Sequence, residues 1–419
     1  MRHLFDQYSQ PENRITHALV TGLAQDAGLL REFIQWVTKK RHPRGTKIHI
    51  VEQTLPGEIE LKEDETEEHG LPDAWIYTED GWALLIESKV ASPISSSQLD
   101  RHLRIAKQRG FSDSTLLVLA TAEKIKKLPD GVIGLAWNPV YEWLYCRSKS
   151  NWAQKILTYM EIAEAKMAQT GYLKEGTLTR FSGIPFNRDN PFNYLEAKRV
   201  LGLLLEELKK KQSIHQLGID PKLRGRGAIK EHRGLSVWDI MRFKNLRDGD
   251  NFTKYPHLAV AILADKATAF VTLPNAVKQT IRKRLFGHGQ EAFNNLMFSL
   301  VEKMKPIFKM DPSIQPYAQV IQRHYLSQSS PPVQDAILRY DLRTITQDSK
   351  KVHCKYQPQW LETTYEVMTN KKSNIQFEIG IEIPYRESRV VHTTKTITLF
   401  EEAFLALQPF LEQALDRNG

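Results

Sequence analysis

The chain has 419 residues, of which 41% are hydrophobic and 26% charged, a composition typical of a globular protein with two or three domains. No run of about 18 apolar residues occurs, which argues against a membrane-spanning helix, and the polar N-terminus lacks the apolar core of a signal peptide. Cys146 and Cys354 are the only cysteines, so we expect a reducing cytoplasm and neither a disulfide framework nor a structural zinc site.

The net charge of +9 is unevenly distributed along the chain. Residues 171–419 carry 37 Lys and Arg against 26 Asp and Glu, whereas residues 1–170 carry 21 against 23. A basic surface attracts phosphate by releasing counterions, although a basic excess also serves solubility alone. The charge therefore favours a nucleic-acid partner for the C-terminal part and leaves the simpler explanation open.

The N-terminal part predicts helices around a mixed sheet. Helical spacing predicts one helix over 12–39, and Pro11 precedes it as a start signal. Residues 58–70 are strongly acidic and end in Gly, which indicates a hairpin tip or a solvated loop. Alternation, turn residues and helical spacing predict the other elements: strands over 46–53, 74–78, 82–90, 114–122 and 132–137, and helices over 95–109 and 138–169. This order predicts a mixed α/β (α+β) domain over residues 1–170.

The C-terminal part begins with a segment rich in Gly, Pro and Asn over 171–191, which predicts a linker. Beyond it, the patterns predict helices over 192–212, 276–286, 290–305, 358–369 and 400–416, a hairpin of strands 257–264 and 267–274, and, within 316–419, strand-like stretches such as 376–383. We therefore expect a basic α+β accessory domain over 171–419, for recognition or assembly.

The hairpin around Glu79-Asp80-Gly81 brings charged residues together. With Asp80 as the turn centre, paired residue numbers sum to about 160, so Asp73 stands opposite Glu87. Lys89 points to the same face as Glu87, because it lies two residues along the strand. Two close carboxylates repel unless a cation lies between them, and oxygen ligands suit Mg²⁺ or Mn²⁺. The alternative is a plain salt bridge between Glu87 and Lys89 at the strand end.

This arrangement resembles the PD-(D/E)xK nuclease superfamily through Pro72-Asp73 and Glu87-Ser88-Lys89, carried on a hairpin between two helices and followed by a buried strand. The resemblance covers residues 10–140. It implies a restriction-endonuclease-like core with a mixed sheet flanked by helices, which cleaves DNA, or less often RNA, with Mg²⁺ or Mn²⁺. It also implies Asp73 and Glu87 as metal ligands together with the carbonyl of Ser88, and Lys89 as the residue that assists the nucleophilic water.

Further residues extend or modify the resemblance. The RecB-like branch has a Gln on the next helix and a Tyr four residues later; here Gln98 is followed by His102, and the two share a helix face. That branch also has a metal-ligating His before the Asp, for which His69 is the candidate. Family members often have an acidic residue on the first helix. Glu12 is the candidate, although a Glu in a first turn also favours the helix dipole.

A basic stretch over 222–234 predicts contact with a phosphate backbone, and its alternative is a solvated loop. The basic residues concerned are Lys222, Arg224, Arg226, Lys230 and Arg233. Neither a nucleophile-elbow sequence for a serine hydrolase nor a Walker-type GxxxxGK for an NTP-driven motor occurs.

The leading interpretation is a metal-dependent nuclease that hydrolyses phosphodiester bonds of DNA. The resemblance implies a role in defence against phage or plasmids. We expect a homodimer, since duplex cleavage with one site per chain commonly requires two copies, an ATPase partner from a defence system, and no membrane. The alternatives are a nucleic-acid-binding or scaffolding subunit of a multi-protein defence or repair complex with a structural nuclease-like domain, and a sequence-specific restriction endonuclease.

Overall fold

The computed structural model describes residues 5–43, 45–56, 71–122, 125, 128–173, 176–223, 225, 234–244, 251–327, 330, 332–346, 354–370 and 374–415. The chain divides into two compact units, Met1–Arg180 and Phe181–Gly419. Their boundary lies inside the predicted linker, somewhat beyond the division at residue 170. Both units mix helices and strands, which agrees with the predicted α+β fold class. No helix in the described part of the chain is long and apolar enough to cross a bilayer.

The first unit begins with two helices, α1 (Pro11–Gln25) and α2 (Ala27–Thr38). The prediction of one continuous helix over 12–39 is therefore wrong. Asp26 has an extended backbone, and its side chain accepts the N–H of Leu29 at 3.0 Å. Such an N-cap begins a new helix, because it satisfies a donor that would lack a partner at the first turn.

A five-stranded mixed sheet follows, with the order β1-β2-β3-β4-β5. The strands are β1 (His49–Glu52), β2 (Ala74–Tyr77), β3 (Trp82–Lys89), β4 (Asp113–Ala120) and β5 (Val132–Ala136). The first three are antiparallel, whereas β4 is parallel to β3 and β5 is parallel to β4. The described residues of the unit also form the helices α3 (Ser96–Gln108), α4 (Trp137–Tyr145) and α5 (Asn151–Thr170). The last two replace the single helix predicted over 138–169.

The β2–β3 hairpin positions the charged residues. Ala74 pairs with Ile86 and Tyr77 with Ala83, which confirms the predicted register. Gly81 has a φ of +89°, a conformation that glycine adopts without steric cost in tight turns. Odd-numbered residues such as Leu85 pack towards α3, and even-numbered ones such as Ile86 pack towards α1 and α5, so the sheet is buried on both faces.

The second unit is built on a six-stranded antiparallel sheet with the order β10-β9-β11-β8-β7-β6. Its strands are β6 (Ser236–Met241), β7 (His257–Leu263), β8 (Lys266–Leu273), β9 (Gln315–Tyr325), β10 (Pro332–Asp341) and β11 (Ile375–Pro384). Its helices are α6 (Tyr194–Lys209), α7 (Gln212–Gln216), α8 (Gln279–Phe286), α9 (Gln290–Met310), α10 (Gln359–Thr369), α11 (Lys395–Ala406) and α12 (Gln408–Leu415). Sequence patterns did not predict β6, and the helix predicted over 400–416 is two helices.

Candidate active site

A cavity of about 260 Å³ lies in the first unit, where β2 begins and β3 ends. It brings together six of the residues predicted for this site. They come from α1, from the residue before β2, from the end of β3 and from α3, and they are Glu12, Asp73, Glu87, Ser88, Lys89 and Gln98. Sequence positions that are far apart therefore share one site because the hairpin register and the two flanking helices converge there.

Glu87 lies at the centre of the site and is only 2% exposed. Its Oε1 atom lies 2.7 Å from Lys89 Nζ and accepts a hydrogen bond from Gln98 Nε2 at 2.8 Å. His102, which is fully buried on α3, places Nε2 at 3.2 Å from Oε2. Burial opposes the charge on Glu87, but His102 and Lys89 outweigh it and lower the pKa of this carboxyl. Glu87 is thus held as an anion.

Asp73 has the opposite electrostatic environment. Its Oδ2 atom accepts the backbone N–H of Ser88 at 2.7 Å. Burial, followed by the negative charge of Glu87, raises the pKa of Asp73 well above its ordinary value, although Ser88 and Lys89 oppose the shift. The proximity of the two carboxyl groups therefore disfavours the state in which both are anions, and an additional cation would relieve this repulsion.

Lys89 is paired with Glu87, so the salt bridge considered as an alternative does exist. Burial opposes the positive charge, but Glu87 and Asp73 outweigh burial and raise the pKa of Lys89. Lys89 is consequently an ammonium group at neutral pH. In this state it can stabilise negative charge or orient a water molecule, but it has no lone pair with which to accept a proton.

Glu12 is 4% exposed and contacts the chain directly beyond β3. Its Oε2 atom accepts the backbone N–H groups of Val90 at 2.9 Å and Ala91 at 3.2 Å, and its Oε1 atom accepts the hydroxyl of Ser92 at 3.0 Å. The first helix thus fixes the position of the segment that follows Lys89. The helix-dipole explanation for Glu12 does not account for these contacts.

Sequence reasoning missed several residues of the cavity, among them Gln53 and Arg101. Arg101 lies three residues after Gln98, so the helical period could have indicated a shared face. Gln53 follows β1, and its backbone N–H donates to the carbonyl of Asp73 at 3.0 Å. No sequence signal gives the register of β1 against β2, because the two strands are too far apart in the sequence for a tight turn to set their pairing.

The predicted nucleic-acid residues belong to the second unit. Lys222 is exposed in the second unit, and its backbone N–H donates to Asp220 Oδ1 at 2.9 Å. The remaining predicted residues lie outside the described part of the chain: Arg224, Arg226, Lys230, Arg233 and the candidate ligand His69.

The cavity lining offers oxygen donors to a divalent cation. Among the described residues, no group of three or more His, Cys, Asp and Glu forms a metal cluster. However, Mg²⁺ commonly binds through one or two carboxylates and keeps several waters, so it does not need an all-protein cage. Asp73 and Glu87 supply two carboxylates, and the effect of Glu87 on the Asp73 pKa is the repulsion that such a cation relieves. The residues fit a site of this kind.

The cavity thus combines two carboxylates of opposite pKa shift with an ammonium group and an amide. No protein-family model matches the chain, and no curated protein matches it either. The resemblance to the PD-(D/E)xK nucleases therefore rests on the residues and their arrangement alone.

Proposed function

We propose that the chain is a metal-dependent nuclease of the PD-(D/E)xK type that hydrolyses phosphodiester bonds of DNA. One observation carries this proposal: Asp73, Glu87 and Lys89 lie in a single polar cavity at adjacent strand ends. The topology supports it as well, since an antiparallel hairpin is followed by α3 and by a parallel strand, the arrangement that the resemblance implies for such a core.

Each residue of the site has a separate role in the proposed hydrolysis. Asp73 and Glu87, with the carbonyl of Ser88, would hold Mg²⁺ or Mn²⁺, which supplies Lewis-acid polarisation and favours deprotonation of water. The Lys89 ammonium stabilises negative charge that develops on the phosphate. Gln98 fixes the orientation of Glu87 through its hydrogen bond to Oε1. Glu12 acts as a positioning residue, because it holds the chain that follows Lys89.

The wider setting is also part of the proposal. The basic excess of residues 171–419 supports a nucleic-acid partner, either DNA or RNA. Both cysteines are free thiols, as is usual in a reducing cytoplasm. A homodimer, an ATPase partner and a role in defence against phage or plasmids stay predictions from the resemblance and the sequence.

A cleavage panel on the purified full-length chain tests the function. Plasmid, single-stranded DNA and RNA are each incubated with Mg²⁺, Mn²⁺ or EDTA. We expect cleavage by the wild type with Mg²⁺ or Mn²⁺, and a loss of roughly 100-fold or more in Asp73→Asn and Lys89→Ala, the size typical for removal of one group that stabilises transition-state charge. Asp130→Asn is the matched control, since Asp130 is exposed and does not line the cavity.

The possible results separate the alternatives. Cleavage that survives both Asp73→Asn and Lys89→Ala would sink the site assignment. If the wild type cuts no substrate with either metal, the enzyme proposal fails and the scaffolding or binding alternative replaces it. Discrete plasmid fragments would identify a sequence-specific restriction endonuclease, whereas a smear would identify a non-specific nuclease.

A further inference from the structure

The sheet of the second unit has two faces of different chemistry. On β11, Phe377, Ile379 and Ile381 point into the hydrophobic core, whereas Glu378 and Glu382 point to the other side. A cavity of about 390 Å³ lies on that second face. Small-molecule sites commonly measure about 300–1,000 Å³, so the cavity is large enough for a compact ligand.

A glycine stands between the two glutamates on the β11 face that lines the cavity. Gly380 lies between Glu378 and Glu382 on the same face of β11, and it pairs with Phe270 of β8 and Tyr317 of β9. A Cβ atom at Gly380 would lie 2.5 Å from the Cβ of Phe270, which leaves no room for one. Gly380 therefore accommodates the close approach of β8, and the aromatic residues Phe270 and Tyr317 lie beside it on the two neighbouring strands.

Two buried carboxyl groups lie on either side of Gly380 along β11. Glu378 accepts hydrogen bonds from the side-chain amides of Gln319 and Gln376. Glu382 pairs with Lys266 Nζ at 2.8 Å and with Arg339 Nη2 at 2.6 Å. A buried polar network of this kind is costly and adds little to stability compared with an apolar surface. Its position in an open cavity is consistent with a role in recognition.

Aromatic rings form one wall of the cavity. The ring of Phe252 lies 6.4 Å from that of Trp238 and 5.5 Å from that of His257, both in edge-to-face geometry. Trp238 is 37% exposed. On the opposite side, the guanidinium of Arg339 lies 4.0 Å above the ring of Tyr317. The cavity thus offers flat apolar surfaces above a floor of hydrogen-bonding groups.

The chemistry of the lining favours a polar ligand with flat faces. The carboxyl groups of Glu378 and Glu382 form a polar network with neighbouring cationic and amide side chains, which disfavours an aliphatic ligand, and aromatic rings form one wall. A planar heterocycle with donors and acceptors along its edge fits both features. Glu side chains accept from the amino groups of bases, Gln side chains pair with adenine, and aromatic rings stack on any base.

We propose that this cavity binds a nucleobase, presented either by a free nucleotide or by an unpaired base of a nucleic-acid strand. The proposal goes beyond the nuclease activity and does not depend on it. It places a base-recognition site in the second unit, on residues of the described sheet rather than on the basic stretch over 222–234.

Calorimetric titration of the full-length chain in EDTA tests the proposal without any cleavage. The ligands are AMP, GMP, CMP and UMP, used separately. We expect at least one to bind, and Trp238→Ala and Phe252→Ala each to weaken it by about tenfold, as the loss of base stacking predicts. Tyr325→Ala is the matched control, because Tyr325 is an exposed aromatic residue on β9 that does not line the cavity.

A competition experiment identifies the source of the base. A ten-nucleotide single strand that displaces the mononucleotide assigns the site to unpaired bases, and a strand that fails to displace it assigns the site to a free nucleotide. Binding of no mononucleotide and no single strand would overturn the proposal. Equal affinity in the wild type, Trp238→Ala and Phe252→Ala would also overturn the proposal, provided that circular dichroism shows both variants folded. A negative result here leaves the cleavage panel unaffected, since the two sites share no residue.

Discussion

The Asp73 carboxyl accepts the backbone N–H of Ser88 at 2.7 Å, and this hydrogen bond joins the start of β2 to the end of β3 between Glu87 and Lys89. The same contact brings Asp73 close to a second carboxylate, whose charge raises the Asp73 pKa. Repulsion between Asp73 and Glu87 thus disfavours the folded state at pH values where both carboxyl groups are ionised, and a bound cation would relieve it.

Asp73→Asn should stabilise the metal-free protein. A carboxyl with a raised pKa in the folded state stabilises that state only while it is protonated, so this stability is lost as the pH rises above the ordinary value of 3.8 and through the raised pKa. The amide keeps an acceptor for Ser88 without the charge. We expect a gain of about 0.5–2 kcal/mol at pH 8, and none near pH 4. Thermal unfolding in EDTA measures it, with Asp130→Asn as the control; an unchanged or lower Tm at pH 8 would contradict the electrostatic account.

Divalent cations should stabilise the wild type more than the variants that lack a carboxylate. A ligand that binds only the folded state adds about 2.7 kcal/mol at a hundred times its Kd. We therefore expect the Tm to rise with Mn²⁺ in the wild type and in Asp130→Asn, and to change little in Asp73→Asn and Glu87→Gln. An equal rise in all four proteins would place the cation elsewhere. The measurement needs no substrate, so it tests the metal site separately from cleavage.

Glu12→Ala should destabilise the first unit. The substitution removes the acceptor of the Val90 and Ala91 N–H groups and of the Ser92 hydroxyl. Unpaired buried donors cost about 1–3 kcal/mol each, and water can reach part of this set, so we expect a loss of about 2–4 kcal/mol. Glu12→Gln, which keeps one acceptor oxygen, should lose less.

Urea unfolding followed by tryptophan fluorescence compares the Glu12 variants with Glu79→Ala, an exposed glutamate in the hairpin turn. The control should change the stability by no more than about 0.5 kcal/mol. If Glu12→Ala unfolds like the control, the hydrogen bonds of Glu12 do not hold the end of β3.

His102 should act through Glu87 rather than on the substrate. Its ring contact and charge lower the pKa of Glu87. Loss of the ring in His102→Leu therefore raises that pKa, and the acid limb of the pH–activity profile should move to higher pH. His102→Gln, which keeps a hydrogen-bonding side chain, should shift less. A uniform drop in activity at every pH, without a shift of the limb, would show a merely structural role.

The sequence predicts the site better than it predicts the details of the helices. The pairing of Asp73 with Glu87 follows from a local turn, because the turn at Gly81 sets the register of the hairpin. The alternation of side chains along a strand then places Lys89 on the same face as Glu87. The break at Asp26 was missed because an Asp inside a helical pattern is also an ordinary exposed helix residue. Its capping role becomes clear only from the hydrogen bond to Leu29.

Contacts between distant segments explain what sequence patterns leave out. Glu12 and Val90 are 78 residues apart in the sequence but are joined by a hydrogen bond, and no periodicity of the sequence indicates that contact. The surroundings of Gly380 are equally hard to predict, since its neighbours Phe270 and Tyr317 come from strands that no tight turn links to β11. A glycine in a strand pattern indicates that a ligand or another backbone segment approaches closely. Only the order of strands in the sheet identifies that segment as β8.

The charged residues of the first site stand on regular elements rather than on long loops. Glu87 and Lys89 belong to β3, Gln98 and His102 to α3, and Asp73 is joined by hydrogen bond to β3. The proposed binding of a cation or of substrate therefore requires little rearrangement, because regular elements already hold these groups in place. A site built from mobile loops loses conformational entropy whenever a ligand orders it, whereas here that entropy is lost during folding.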